Sequence, residues 1–266
     1  MKDYVLSNGV KLPEVGYGTW LIKNEDAAKC VLMALEAGYR HIDSAKVYGN
    51  EVGVGEGIRA SGIKREDIFV TTKVPAEYKS YKKAKKSIEE SLEKLNIGYI
   101  DLILIHCPQP WALFGSPLRF FKQNVQVWKA LEEAYIEGKV RAIGVSNFNE
   151  EDLQNIIDHC EIKPMVNQIR IHPGYSELNI IKFCHENDIV VEAYSPIAHG
   201  KALNNDLIVE MAKKYNVSVA QLCIRYTLQL GTVSLPKASS KEHIEDNLKL
   251  DFEISNEDME VLKALG

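Results

Sequence analysis

Eight short apolar runs recur along the chain, each followed by a stretch of helical character, and this alternation constrains the fold more than any other feature. The runs are Val15 to Thr19, the segment ending at Ile42-Asp43, Ile68 to Lys73, Tyr99 to His106, Val140 to Ser146, Met165 to Gln168, Ile189 to Tyr194 and Thr232 to Leu235. Unbroken apolar character, as in Leu102-Ile103-Leu104-Ile105, marks strands buried on both faces, the habit of parallel sheets covered by helices. Helices are expected over Asp26 to Ala37, Asn50 to Ala60, Ser80 to Leu95, Asn124 to Glu137, Glu177 to Asn187, Leu207 to Tyr215, Val219 to Leu230 and Ser240 to Leu248, with others after Asn149 and from Asn256. In the first of these, Ala28, Val31, Leu32 and Leu35 share one stripe, and Gly38 suits a left-handed terminator. Asn149 can cap its helix, with Asp152 in the first turn. Ahead of the first run, the Asn8-Gly9 pair between short apolar stretches signals a hairpin over Tyr4 to Leu12. The expected architecture is α/β: a (β/α)8 TIM barrel with an N-terminal β-hairpin and extra C-terminal helices, spanning residues 1–266 as one domain.

Composition narrows the classes. The formal charge of -5 gives no footprint for nucleic acid, and the Lys-rich stretch Lys79 to Lys86 reads as a solvated helix face. No apolar run approaches the roughly 18 residues of a membrane span, and Met1-Lys2-Asp3-Tyr4 does not open a signal peptide. The five cysteines (Cys30, Cys107, Cys160, Cys184, Cys223) are odd in number, scattered and without CxxC spacing, which suits free thiols in a reducing cytoplasm. No HExxH or Cys/His cluster suggests a metal. The string Gly53-Val54-Gly55-Glu56-Gly57 imitates a dinucleotide fingerprint. It has Ile58 where the third glycine belongs and falls inside a helix, so it is set aside.

Isolated polar residues stand where five of the runs give out: Asp43, Lys73, His106, Asn147 and Gln168. In a closed barrel, the C-terminal ends of the strands converge on one site. Tyr48 lies five residues beyond Asp43. A phenol ordinarily titrates near 10, so a tyrosine donating a proton near neutral pH is expected to have its pKa lowered by about 3 units, roughly 4 kcal/mol. One ammonium about 4 Å away, at an effective dielectric near 20, supplies that much. Lys73 is the candidate, kept charged by Asp43, and His106 adds a neutral donor beside the reacting oxygen. Singly these residues read as a strand-end cap, a snorkelling lysine and a satisfied core histidine. Gathered at successive strand ends they do not fit those ordinary roles.

The strings Gly38 to Ala45 with Tyr48-Gly49-Asn50-Glu51, Thr72-Lys73-Val74, Asp101 to His106, Ile143 to Phe148, Asn167-Gln168, Ala193-Tyr194-Ser195-Pro196 and Leu235-Pro236-Lys237 closely resemble the aldo-keto reductase superfamily, in its short prokaryotic type. The resemblance runs in order over nearly the whole chain. It implies a barrel that binds NADPH without a Rossmann domain and reduces aldehydes or ketones to alcohols. Tyr48 would donate the proton, Lys73 and Asp43 would tune it, and His106 would orient the carbonyl while hydride passes from nicotinamide C4. By the same resemblance Ser146, Asn147 and Gln168 would hold the carboxamide, and Tyr194 would stack on the ring. Gly18, Thr19 and Asp43 would also touch the cofactor, and Ser195, Pro196 and Ile197 would begin the loop over its pyrophosphate. Lys237, Ser239, Ser240, His243, Asp246 and Asn247 would surround the adenosine phosphate. Trp20, with Tyr48 and His106, would line the substrate pocket.

The chain departs from that pattern in several places. Ala238 and His243 stand where the family usually has Ser and Arg against the 2′-phosphate. Losing one charge-assisted contact costs roughly 1.5 to 3 kcal/mol, so NADPH binding with NADH also accepted is expected. Because an imidazole ordinarily titrates near 6.5, the NADPH preference is expected to decline between about pH 6 and 8. Cys107 replaces a frequent Trp; Trp111 is a candidate to restore that wall, with a surface or packing role equally open. Arg170 and Ile171 precede His172-Pro173 where the family has Glu and an aromatic, a change without an account at this level. With Gly266 just after the last helix and no long C-terminal loop to cover the pocket, an open pocket is expected. The expected protein is a cytoplasmic monomer whose partner is a small carbonyl compound. The second reading is a nicotinamide-sensing binding module with slow turnover.

Overall fold

The computed structural model describes residues 2–265. Met1, in the N-terminal stretch read above, and Gly266, where the pocket-covering loop was considered, lie outside the described residues. The Asn8-Gly9 turn joins β1 (Asp3–Val5) to β2 (Lys11–Pro13), an antiparallel pair with Tyr4 opposite Leu12. Gly9 takes a φ of 84°, and the Asn8 Oδ1 accepts from Val10 N at 3.1 Å, the local bonding that makes this dipeptide a turn.

The barrel then winds as β3 (Tyr17–Gly18), α1 (Asn24–Ala37), β4 (His41–Asp43), α2 (Glu51–Ala60), β5 (Phe69–Val74), α3 (Tyr81–Leu95), β6 (Ile100–Ile105), α4 (Phe121–Ile136), β7 (Val140–Ser146), α5 (Glu150–Ile157), β8 (Val166–Arg170), α6 (Leu178–Glu186) and β9 (Val190–Tyr194). It continues through α7 (Asp206–Lys214), α8 (Val219–Gln229), β10 (Val233–Leu235), α9 (Lys241–Asp246) and α10 (Asn256–Lys263). Strands β3 to β10 pair in sequence order, all parallel. Closure comes from Gly16 N to Ser234 O at 2.8 Å, Ser234 N to Glu14 O at 2.9 Å and Gly18 N to Pro236 O at 2.9 Å. This is the eight-stranded barrel that the alternation predicts, with helices between the strands.

The differences in detail have local causes. The first barrel strand is regular only over Tyr17–Gly18, although Val15 already bridges Ser234 in parallel, and Gly16 between them leaves no room for a side chain. A Cβ there would meet Leu235 Cδ2 at 2.5 Å and His41 Nδ1 at 2.6 Å. Helix α4 starts at Phe121, before Asn124. The Asn124 side chain is buried, accepting from Lys79 Nζ at 2.9 Å and donating to Pro108 O at 3.0 Å. That bond also corrects the reading of Lys79: it precedes α3, and burial pushes its ammonium down to about 8.

Glycines 53, 55 and 57 form a packing face. Cβ atoms would fall 2.4 Å from Asn24 O, 1.9 Å from Leu95 O and 2.6 Å from Ala28 O respectively, so α2 lies directly on α1 and on the end of α3. Most of the core belongs to the barrel and its helices. A separate apolar cluster, including Ile208, Met211, Leu222, Tyr226, Met259 and Leu262, joins α7, α8 and α10. Each fully buried Leu or Ile contributes about 1.5 to 3 kcal/mol relative to exposure.

Candidate functional site

The alternation of side chains along a strand decides which residues enter the barrel. On β4 His41 and Asp43 point in, on β5 Thr71 and Lys73, on β8 Gln168 and on β9 Glu192, as their mutual contacts show. Thr72 points the other way, to Glu51 Oε1 at 2.7 Å, and Asn167 donates outward to Phe148 O at 3.0 Å.

Lys73 is at the centre. Its Nζ donates to Asp43 Oδ1 at 2.7 Å, Asp43 Oδ2 at 2.9 Å and Ser44 O at 2.7 Å, so all three protons are used. Burial alone would lower its pKa, but the Asp43 carboxylate, reinforced by Tyr48, outweighs that and holds it above the ordinary lysine value. The ammonium lies 5.2 Å from the centroid of the Tyr48 ring. The ring of His106 meets that of Tyr48 edge-on at 5.8 Å, and Trp111 meets His106 edge-on at 5.2 Å. Burial, helped by Lys73, keeps the His106 imidazole neutral, well below its usual range.

Tyr48 differs from expectation. Its surroundings raise the phenol pKa: burial penalises the phenolate more than Lys73 favours it, and Asp43 adds to the rise. The ammonium alone would lower the phenol pKa, and desolvation in the closed barrel reverses the sign. A neutral phenol remains a competent acid, because an alkoxide forming on a carbonyl carbon is a far stronger base than phenolate.

At the rim of β7, Asn147 adopts a φ of 62° and ties three strand ends together. Its Nδ2 donates to His106 O at 3.0 Å and to Ser146 Oγ at 3.1 Å, while its Oδ1 accepts from Tyr194 OH at 2.8 Å. The segment after β9 holds Ser195, Ala198 and His199 at positive φ, a run of strained backbone common where ligands are clamped. Pro196 is buried and Ile197 half-buried within it. Trp20, half exposed, packs edge-on against His199 at 5.0 Å, and its loop is held by Asn50 Nδ2, which donates to Thr19 O and Ile22 O. Thr19 Oγ1 donates to Asp43 O at 3.0 Å.

The second group follows β10, alongside Gly18. Lys237, Ser239, Ser240 and His243 are exposed, Asp246 is half-buried and Asn247 buried. Ser240 caps α9, accepting from His243 N at 3.3 Å, and Ala238 O takes a bond from Tyr17 OH at 2.6 Å. Arg170, at the departure noted above, lays its guanidinium 4.2 Å from the centroid of Tyr175. Together they line a cavity of about 560 Å³ that also reaches Asn147, Phe114 and Tyr194.

Two residues were missed. Glu192 and His41 sit inside the barrel below the expected set. Glu192 Oε2 accepts from Gln168 Nε2 at 2.8 Å, and His41 Nε2 lies 3.1 Å from Thr71 Oγ1. The signal was available as polar residues two positions before the strand-end ones: His41 before Asp43, Thr71 before Lys73, Glu192 before Tyr194.

The polar atoms left over have the character of a carboxamide site. Gln168 spends its amide N–H groups on Asp43 and Glu192, and its Oε1 accepts nothing among the described residues. The Ser146 hydroxyl likewise donates to none of them. Buried His106 Nδ1 has no partner there either. An acceptor, a donor and an aromatic wall therefore converge on one mouth, fitting a nicotinamide. Among the described residues no group of three or more His, Cys, Asp or Glu side chains could hold a metal, and no helix is long and apolar enough to cross a membrane.

Comparison with known proteins agrees with the geometry. The model of the aldo/keto reductase family matches residues 14–266. The chain is 42% identical to the 9,11-endoperoxide prostaglandin H2 reductase of Trypanosoma cruzi (strain CL Brener), covering 98% of this chain and 90% of that protein. It is 41% identical to the glyoxal reductase of Bacillus subtilis (strain 168), covering 100% and 94%. Among solved structures, an aldo/keto reductase from Brucella melitensis superposes with a TM-score of 0.91 at 37% identity, covering 100% of this chain and 99% of the other.

Proposed function

The chain belongs to the aldo/keto reductase family, and from that premise we propose that it reduces small aldehydes and ketones to alcohols with NADPH, accepting NADH as well. The observation that carries this reading is the cluster in which the Asp43–Lys73 pair, the Tyr48 phenol and the neutral His106 imidazole share one barrel mouth.

When bound, the cofactor supplies hydride to the carbonyl carbon. Ser146, Asn147 and Gln168 would hold its carboxamide, and Tyr194 one face of its ring. Gly18, Thr19 and Ser195 to Ile197 would follow the pyrophosphate. Lys237, Ser239, Ser240, His243, Asp246 and Asn247 would meet the adenosine end. His106 aligns the carbonyl by donating to its oxygen. Tyr48, protonated at neutral pH because its pKa is raised, gives its proton to that oxygen as negative charge develops. Lys73 then stabilises the phenolate left behind. A unit charge pair at about 5 Å and an effective dielectric near 20 interacts by on the order of 3 kcal/mol, and the paired Asp43 carboxylate offsets part of that. Asp43 keeps the Lys73 ammonium charged and fixed. The exposed aromatic rim of Trp20, Trp111 and Phe114 suits small carbonyls with apolar or planar bodies, and His243 in place of an arginine supports tolerance of NADH. Glyoxal, the substrate named for the Bacillus relative, belongs among the first probes.

The test is stopped-flow oxidation of NADPH and of NADH with glyoxal or an aromatic aldehyde, for wild type and Tyr48→Phe, beside cofactor titration by intrinsic fluorescence. The expected result is rapid oxidation that falls by at least about a hundredfold in the variant while cofactor dissociation constants change little. Tight cofactor binding with negligible turnover in wild type would instead make the protein a nicotinamide sensor.

A further inference from the structure

Beneath the reacting groups lies a carboxyl that proton and hydride transfer do not use. Glu192 on β9 is fully buried. Its Oε2 accepts from Gln168 Nε2 at 2.8 Å, and the same nitrogen donates to Asp43 Oδ1 at 2.8 Å. Both N–H bonds of the amide are therefore committed to carboxyl groups of the barrel interior, Asp43 at its own level and Glu192 below. The reverse orientation would set the amide oxygen against two carboxyl groups. The amide oxygen is left facing the mouth, where the nicotinamide carboxamide N–H₂ would need an acceptor.

We propose that Glu192 is a positioning residue for the nicotinamide: it turns the Gln168 amide oxygen toward the mouth, and its ionisation beneath the site shifts the balance between oxidised and reduced cofactor. This rests on the reading of the mouth as a nicotinamide site. Glu192 Oε1 has no hydrogen-bond partner among the described residues, which suits a neutral carboxylic acid and would be costly for a carboxylate. Around it stand His41 and Asp43 from β4, Lys73 from β5 and Gln168 from β8, and on β10 the apolar Val233 in register. Burial first, then the Asp43 carboxylate, push the Glu192 carboxyl up to about 8, against Gln168 and Lys73, while burial holds neighbouring His41 uncharged, down at about 3. The polar interior thus gains negative charge as Glu192 ionises with rising pH. The oxidised nicotinamide ring is a cation and the reduced ring is neutral, so that charge favours the oxidised form.

The experiment measures fluorescence-titrated dissociation constants of NADP⁺ and NADPH at pH 7 and 9 for wild type, Glu192→Gln and Glu192→Met, with 3-acetylpyridine adenine dinucleotide phosphate as a cofactor lacking the amide N–H₂. In wild type, the ratio of the NADP⁺ to the NADPH constant should fall by roughly three- to tenfold from pH 7 to 9. In Glu192→Gln, which keeps an acceptor for Gln168 but cannot ionise, the ratio should stay flat. Glu192→Met should weaken the natural cofactor by about tenfold while leaving the acetylpyridine analogue nearly unaffected. A wild-type pH response that survives in Glu192→Gln would overturn the proposal, as would equal losses for both cofactors in Glu192→Met. Wild type that binds no nicotinamide cofactor would overturn the reading of the mouth itself, and this role with it.

Discussion

Changing Asp43 to Asn tests whether charge pairing holds the floor of the site. Lys73 is 1% exposed and its ammonium rests on two carboxylate oxygens and the Ser44 carbonyl. The variant removes the countercharge and turns an N–H₂ toward the ammonium, and breaking a buried pair in this way costs about 3 to 5 kcal/mol. Lys73 can limit the loss by shedding its proton, at about 1.36 kcal/mol for each pH unit below the ordinary value near 10.4. That ceiling is roughly 4.6 kcal/mol at pH 7 and roughly 1.2 kcal/mol at pH 9.5. In the wild type, folded Lys73 titrates above its ordinary value, so the contribution of the pair is complete below that value and fades only as pH rises through the higher folded one. The stability gap between Asp43→Asn and wild type should therefore shrink by up to about 3 kcal/mol between pH 7 and 9.5. Glu192 also acts on the ammonium, so the pair of measurements is repeated in a Glu192→Gln background, where no second carboxylate can take over. Urea unfolding followed by circular dichroism at both pH values reads the gap directly. An equal gap at both would show that Lys73 does not depend on Asp43 for its charge, and would refute the reasoning.

Two further outcomes follow from named contacts. Gly55→Ala should destabilise by roughly 2 to 4 kcal/mol, because its Cβ would fall 1.9 Å from the Leu95 carbonyl oxygen, a backbone atom that cannot step aside; a melting temperature at or above wild type would refute the close seating of α2, since helix propensity alone favours alanine there. His243→Arg should raise the preference for NADPH over NADH by about tenfold to a hundredfold. Dissociation constants for both cofactors that keep the wild-type ratio would rule this out.

The barrel was legible because its strands are short, apolar and regularly spaced, and because turn and cap chemistry is local. Asn8-Gly9, Gly38, the Asn149 cap and the Ser240 cap all lie where their types predict. The strand-end polar residues were legible for the same reason, since an apolar run makes its exception conspicuous. What escaped depends on partners distant in sequence. The need for glycine at position 16 comes from His41 and Leu235, the burial of the Asn124 side chain from its ties to Lys79 and Pro108, and the Tyr48 pKa from the burial that the closed fold imposes. Glu192 escaped because it follows two valines and precedes Ala-Tyr, and its meaning appears only when β8 brings Gln168 beside it.

The position of these residues also explains why this interior is not filled with aliphatic side chains, as barrel interiors usually are. Lys73 must be buried to act at close range on a phenol, and a buried ammonium requires a buried carboxylate. Asp43 supplies it, but a carboxylate has more acceptor sites than one lysine can fill. Gln168 takes up one of them, and its second N–H in turn demands an acceptor, which Glu192 provides from the next strand. Each polar group calls for the next until the chain ends in a carboxyl that can satisfy the last donor without charge. The depth of the polar layer thus follows from the requirement of holding one ammonium beneath Tyr48.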